Sequence, residues 1–167
     1  MHFGLDIRIK ICHTVFVIRE EFYIMAYMSQ EKKKQLSVGI KEVLKKYGVK
    51  GSIAVRHHSS LVVNIASGEL DFMSAFQKHN DEYARMRDVP AHDVGDNMQV
   101  NVYWVERWME DIGETKIANF FKELIAAMSG QGTGWYNKSD IMTDYFDVAW
   151  YNDINVGKWN KGYVCTA

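Results

Sequence analysis

Proline occurs once in this chain, at Pro90, and cysteine twice, at Cys12 and Cys165. With so little proline, and no tract dominated by serine, glycine or charge of one sign, the sequence carries neither a long linker nor a low-complexity tail. Two cysteines near opposite ends are too few and too far apart for the disulfide framework of a small secreted domain, so both are expected as free thiols in a reducing cytosol. No run of about 18 apolar residues is present, which excludes a membrane-spanning helix. Asp6, Arg8, Lys10, Arg19, Glu20 and Glu21 break up the apolar N-terminal stretch before it can form a signal-peptide core. The expected location is the cytoplasm. Catalytic signatures are also missing: there is no Walker loop, no serine elbow and no Cys–His pair at a supporting spacing. No cofactor is expected, and enzymatic activity is not the leading expectation.

What remains is a folded, aromatic-rich chain. Its 167 residues are 47% hydrophobic and 13% aromatic, enough for one sizeable core and too short for two comfortable domains. The formal net charge of −1 conceals an asymmetry. Residues 29 to 58 hold eight basic side chains against two acidic ones, whereas residues 59 to 167 hold nine against sixteen. A local excess of that size attracts polyanions even when the whole chain is near neutral.

Leu5, Ile7, Ile9 and Ile11 alternate with charged residues, the period of a half-buried strand. The following MAYMSQEKKK resembles the start of an intracellular protein, which leaves Met1, Met25 and Met28 as alternative starts. Residues 1 to 28 are read as an N-terminal strand and extension, and 29 to 167 as a single domain. Ser29 suits the N-cap of a first helix whose stripe is Leu36, Ile40, Val43, Leu44 and Tyr47; Lys34, Lys41 and Lys45 share its opposite face. Gly48 fits the left-handed position that ends it.

Two strands follow. Pairing 53 with 65, 55 with 63 and 57 with 61 places every aliphatic on one face, leaving His58, Ser59 and Ser60 as the loop and Arg56 on the other face. A second helix is expected over 69 to 87, a third core strand through Met98, Val100, Val102 and Trp104, a helix from Thr115 to Met128, and a last strand or hairpin through Phe146, Val148, Trp150, Ile154 and Val156. Strands interleaved with helices in this way imply an α+β two-layer sandwich, an antiparallel sheet with helices packed on one face.

Candidate chemistry is sparse. Gly130, Gly132 and Gly134 follow a helix rather than precede one, the wrong topology for a phosphate cradle. His57 and His58 are adjacent on a strand and point to opposite faces, so they do not share a metal. Glu114-Thr115-Lys116 has a nuclease-like Glu-x-Lys spacing but opens a helix. Asp140, Asp144, Asp147 and Asp153 form the one acidic constellation with the oxygen chemistry for Mg²⁺ or Ca²⁺, weighed against solvated surface aspartates. The basic side chains Lys34, Lys41, Lys45 and Arg56, with the His58-Ser59-Ser60 loop, form a candidate nucleic-acid or partner-binding face, and Trp104, Trp108, Trp135, Trp150 and Trp159 offer stacking surfaces.

The run LKKYGVKGSIAVRHHSSLVVNIASGELDF resembles a small α-β-β domain of the large polyvalent proteins of phages and conjugative elements, in which a helix precedes a Lys-hydrophobic-Ser-hydrophobic-x-Arg strand. In this chain a glycine, Gly51, follows the lysine, and Ser67-Gly68-Glu69 stands where that family tends to have Asp-Gly. The resemblance implies a phage or mobile-element accessory protein acting in the host cytoplasm, and it brings no catalytic residues. Three functions stay open: a small non-enzymatic accessory protein that binds a host or defence-system component, a nucleic-acid-binding module on the Lys/Arg face of 29 to 58, and a metal-dependent enzyme at the aspartate cluster.

Overall fold

A computed structural model describes residues 26–130, 134–140, 142 and 147–166. The strand expected at 5 to 11, Cys12, Asp144 and Phe146 lie outside the described residues.

Ser29 caps the first helix, α1 (Gln30–Lys46), by accepting the Lys32 N–H at 3.0 Å. Leu36, Ile40 and Leu44 are buried along one stripe, and Gly48, at φ 65°, takes the left-handed turn into β1 (Val49–Arg56). β1 pairs antiparallel with β2 (Ser60–Gly68), then α2 (Phe72–Arg87) opens on Asp71, whose carboxylate accepts the Ser74 N–H. β3 (Met98–Val100), α3 (Val105–Asp111), α4 (Thr115–Ser129), β4 (Tyr151–Val156) and β5 (Val164–Cys165) complete the order.

The strands form one sheet in the order β1-β2-β4-β3, with β5 continuing along β2 beyond the end of β4. The fold is a single α+β domain with the helices on one sheet face. Leu61, Val63 and Ile65 of β2 and Ile154 and Val156 of β4 enter the core with residues from all four helices. At its centre Phe72, Phe120 and Phe121 lie 5.2 to 5.4 Å apart, all fully buried. Each such ring contributes about 1.5–3 kcal/mol by leaving water.

The sheet is mixed rather than antiparallel. β2 runs parallel to both β4 and β5. A parallel return requires a long crossover, and α2, α3 and α4 supply it; period-two alternation reports which face a side chain takes and says nothing about strand direction.

Two further expectations shift. The hairpin pairs Ile53 with Val63 and Val55 with Leu61, two residues away from the expected register, so its loop is His57-His58-Ser59 and Ser60 belongs to β2. A slip of two leaves the aliphatics on the same face; only a slip of one would turn them over. The expected strand through Trp104 stops at Val100, because the Asn101 carboxamide accepts the Tyr103 N–H and the Asn101 carbonyl accepts from Trp104 and Val105, turning the chain into α3. Such local side-chain bonds compete with the strand ladder.

Candidate nucleic-acid interface

Strand alternation sends Lys50, Ser52, Ala54 and Arg56 to the sheet face away from the helices, alongside Asn64 and Ala66 of β2 and Asp153 and Asn155 of β4. The ladder is irregular here. Lys50 pairs with Ser67 and Gly51 with Ile65, so Ala66 is the extra residue of a bulge. A Cβ on Gly51 would sit 2.6 Å from the Asn64 carbonyl oxygen, so only glycine allows the strands this close.

This junction separates two concavities. One, about 600 Å³, lies between the end of α1 and the start of β1 and is lined by Lys41, Lys45, Lys50, Gly51, Glu69 and Thr166 among others. The second, about 320 Å³, lies on the open sheet face beneath Lys50, Lys158 and Lys161, with Ser52, Asn64 and Gly51 in its wall. They share Lys50 and Gly51 in their linings, so five lysines border two adjoining concavities, together the lysine-lined depression.

Lys158 and Lys161 come from a feature that spacing alone does not reveal. β4 and β5 both pair with β2, and the chain between them loops outward. Gly157, at φ 71°, starts the excursion, with its N–H bonded to Ile65 O. Lys158 and Lys161 then exchange both backbone hydrogen bonds, at 2.8 and 2.9 Å, closing a turn tipped by Trp159 and Asn160. Tyr163 anchors its far side. Its ring packs 5.3 Å from Phe72, its hydroxyl donates to Leu70 O at 2.7 Å, and burial raises its pKa so that the donor stays protonated. The signal in the sequence was Lys-Trp-Asn-Lys, two cations flanking a turn.

Charge around the molecule is unevenly matched. Lys46 pairs with Glu123 at 2.6 Å, Lys78 with Glu114, Lys122 with Glu106, Arg85 with Glu82 and Arg107 with Asp111. The Glu123 hydrogen bond raises the pKa of Lys46 and lowers that of Glu123 in return. None of Lys41, Lys45, Lys50, Lys158 and Lys161 forms an ion pair among the described residues, and Glu69 is the carboxylate that lines the depression.

The other sequence candidates are placed elsewhere. Lys34 is exposed on α1, seven residues before Lys41 and so about 10 Å along the helix. Arg56 sits about 20 Å along β1 from Lys50 and is bonded to Asp153, whose carboxylate is 6% exposed and also accepts from Gln99 and Asn155. His57 and His58 form the hairpin turn in left-handed conformations, φ 52° and 55°. The His58 and Ser59 carbonyls accept from Met28 and Tyr151, and Ser60 is buried. The loop therefore serves as a structural join at the end of the sheet opposite the lysines. As for the aspartates, Asp140 is exposed on the segment after α4, Asp147 is tied to that segment by its N–H donating to the Ser139 hydroxyl and its carbonyl accepting from Lys138, and Asp153 is taken by Arg56. Among the described residues no group of three or more histidine, cysteine, aspartate or glutamate side chains is placed to hold a metal ion. No described helix is long and apolar enough to cross a membrane.

Comparison of the chain with protein-family models, with curated proteins and with solved structures found no match.

Proposed function

We propose that this protein binds nucleic acid through the lysine-lined depression at the junction of α1, β1 and the turn after β4. One observation carries the reading: five lysines from three separate elements line two adjoining concavities and, among the described residues, form no ion pair, with Glu69 as the one carboxylate in either lining. Phosphates are bound by such an arrangement through release of their counterions, with no base-specific contact required. The resemblance to domains of phage and conjugative-element proteins supports an accessory role in a host cell, where a host or defence complex would be engaged through its nucleic acid.

The test is salt dependence. Five phosphate contacts predict a slope of log affinity against log salt of about −3.5 for a single strand, and the Lys41→Ala/Lys45→Ala variant should reduce it by about 1.4. Absence of binding even at low salt, or a slope unchanged in the variant, refutes the assignment.

A further inference from the structure

We infer that the ligand is single-stranded nucleic acid and that Trp159 stacks on one of its bases; this deepens the reading of the lysine depression and rests on it. Trp159 is 88% exposed, a large apolar ring held in water. Its position is nonetheless fixed, because the turn that carries it is closed by two backbone hydrogen bonds and both of its flanks run on into strands paired with β2. The lysines on either side of the ring, Lys158 and Lys161, reach into the second concavity with Lys50.

Stacked bases in a duplex present only their edges, so an exposed indole finds a π-face only on an unstacked base. A ring flanked by backbone-binding cations is the combination that recognises single strands irrespective of sequence. The concavity points the same way. At about 320 Å³ it is at the small end of ligand pockets and would take the phosphate and sugar of one nucleotide, whereas a duplex could only rest across its rim. Ser52 and Asn64 in its wall supply neutral hydrogen-bonding groups for the sugar.

The experiment is fluorescence anisotropy with labelled oligothymidylate of about a dozen nucleotides and with a duplex of equal length, at one low salt concentration. The single strand should bind more tightly and quench tryptophan emission. Trp159→Ala should weaken single-strand binding roughly 5- to 150-fold, Trp159→Phe by less, and neither should alter duplex binding. Because the ring is exposed, both variants should melt with the wild type. Equal affinity for strand and duplex, with no effect of Trp159→Ala, overturns this inference and leaves the depression as a general polyanion site. Failure to bind either probe overturns that broader reading too.

Discussion

Replacing Arg56 by methionine removes the cation that faces Asp153 while keeping most of the aliphatic stem. Asp153 is 6% exposed; its remaining partners are the carboxamides of Gln99 at 3.4 Å and Asn155 at 3.2 Å, both long and neutral. Breaking a fully buried ion pair costs about 3–5 kcal/mol, and an exposed one about 0–1 kcal/mol. Arg56 is 49% exposed, so water screens its side of the pair and the cost falls between these limits, at about 2 kcal/mol. For a chain of this length that lowers Tm by about 4–8 °C.

The assay is a double-mutant cycle by urea denaturation with Arg56→Met, Asp153→Asn and the pair together. Asp153→Asn keeps the shape and leaves a half-exposed guanidinium free to hydrate, so it should cost about 1 kcal/mol. The double variant should recover part of the loss, with a coupling of about 1–2 kcal/mol. Lys34→Met, an exposed control, should stay within about 0.5 kcal/mol of wild type. Arg56→Met should also leave oligonucleotide affinity unchanged. A coupling of zero, or an Arg56→Met variant that is stable but weak in binding, would show that Arg56 belongs to the ligand and not to Asp153.

Two other substitutions probe the frame around the site. Gly157→Ala meets both a left-handed φ of 71° and contacts of 2.7 Å from the new Cβ to Asp96 O and Tyr163 N, so about 2–5 kcal/mol of stability should be lost by chemical denaturation; a loss below about 1 kcal/mol would mean the excursion after β4 is not pinned there. His79 stacks on Trp108 at 4.8 Å, and its burial holds its pKa below the ordinary value of 6.5, with Asp111 opposing more weakly. The unfolded chain therefore takes up this proton first, so stability should fall as pH drops below about 6.5 toward the folded-state pKa, and His79→Phe should flatten urea midpoints over that window; an unchanged slope refutes it.

α1, α2 and α4 were legible because their cues are local, whereas the seven-residue α3 is too short to show a stripe and was not. Ser29, Gly48 and the stripe Ile117, Phe120, Phe121, Leu124 and Met128 of α4 act within a few residues and occupy the expected places. The sheet was legible in its faces and illegible in its connections. Nothing in an alternating segment distinguishes Ile53 opposite Val63 from Ile53 opposite Ile65, and the choice fell to a His57-His58 turn that lacks the usual glycine or asparagine. The depression was half visible. Lys41, Lys45 and Lys50 are close in sequence, but Lys158 and Lys161 join them only because β4 and β5 both pair with β2, a contact over about a hundred residues that no local pattern encodes.

A rival account of Lys50 is that it guards an edge. β1 ends the sheet among the described residues, and lysines on edge strands discourage pairing with other chains. That purpose needs a lysine or two on β1 itself. It gives no reason for Lys41 and Lys45 on the helix beside it, nor for Lys158 and Lys161 on a turn lining the adjoining concavity of the open sheet face. Like charges held together repel, and a surface shaped for stability alone would interleave them with acids, as α4 does by offering Glu123 to Lys46 and Lys122 to Glu106. Acidic residues are plentiful after residue 58, yet among the described residues Glu69 is the carboxylate that lines these walls. Edge protection therefore accounts for Lys50 alone, and the phosphate-binding reading for all five.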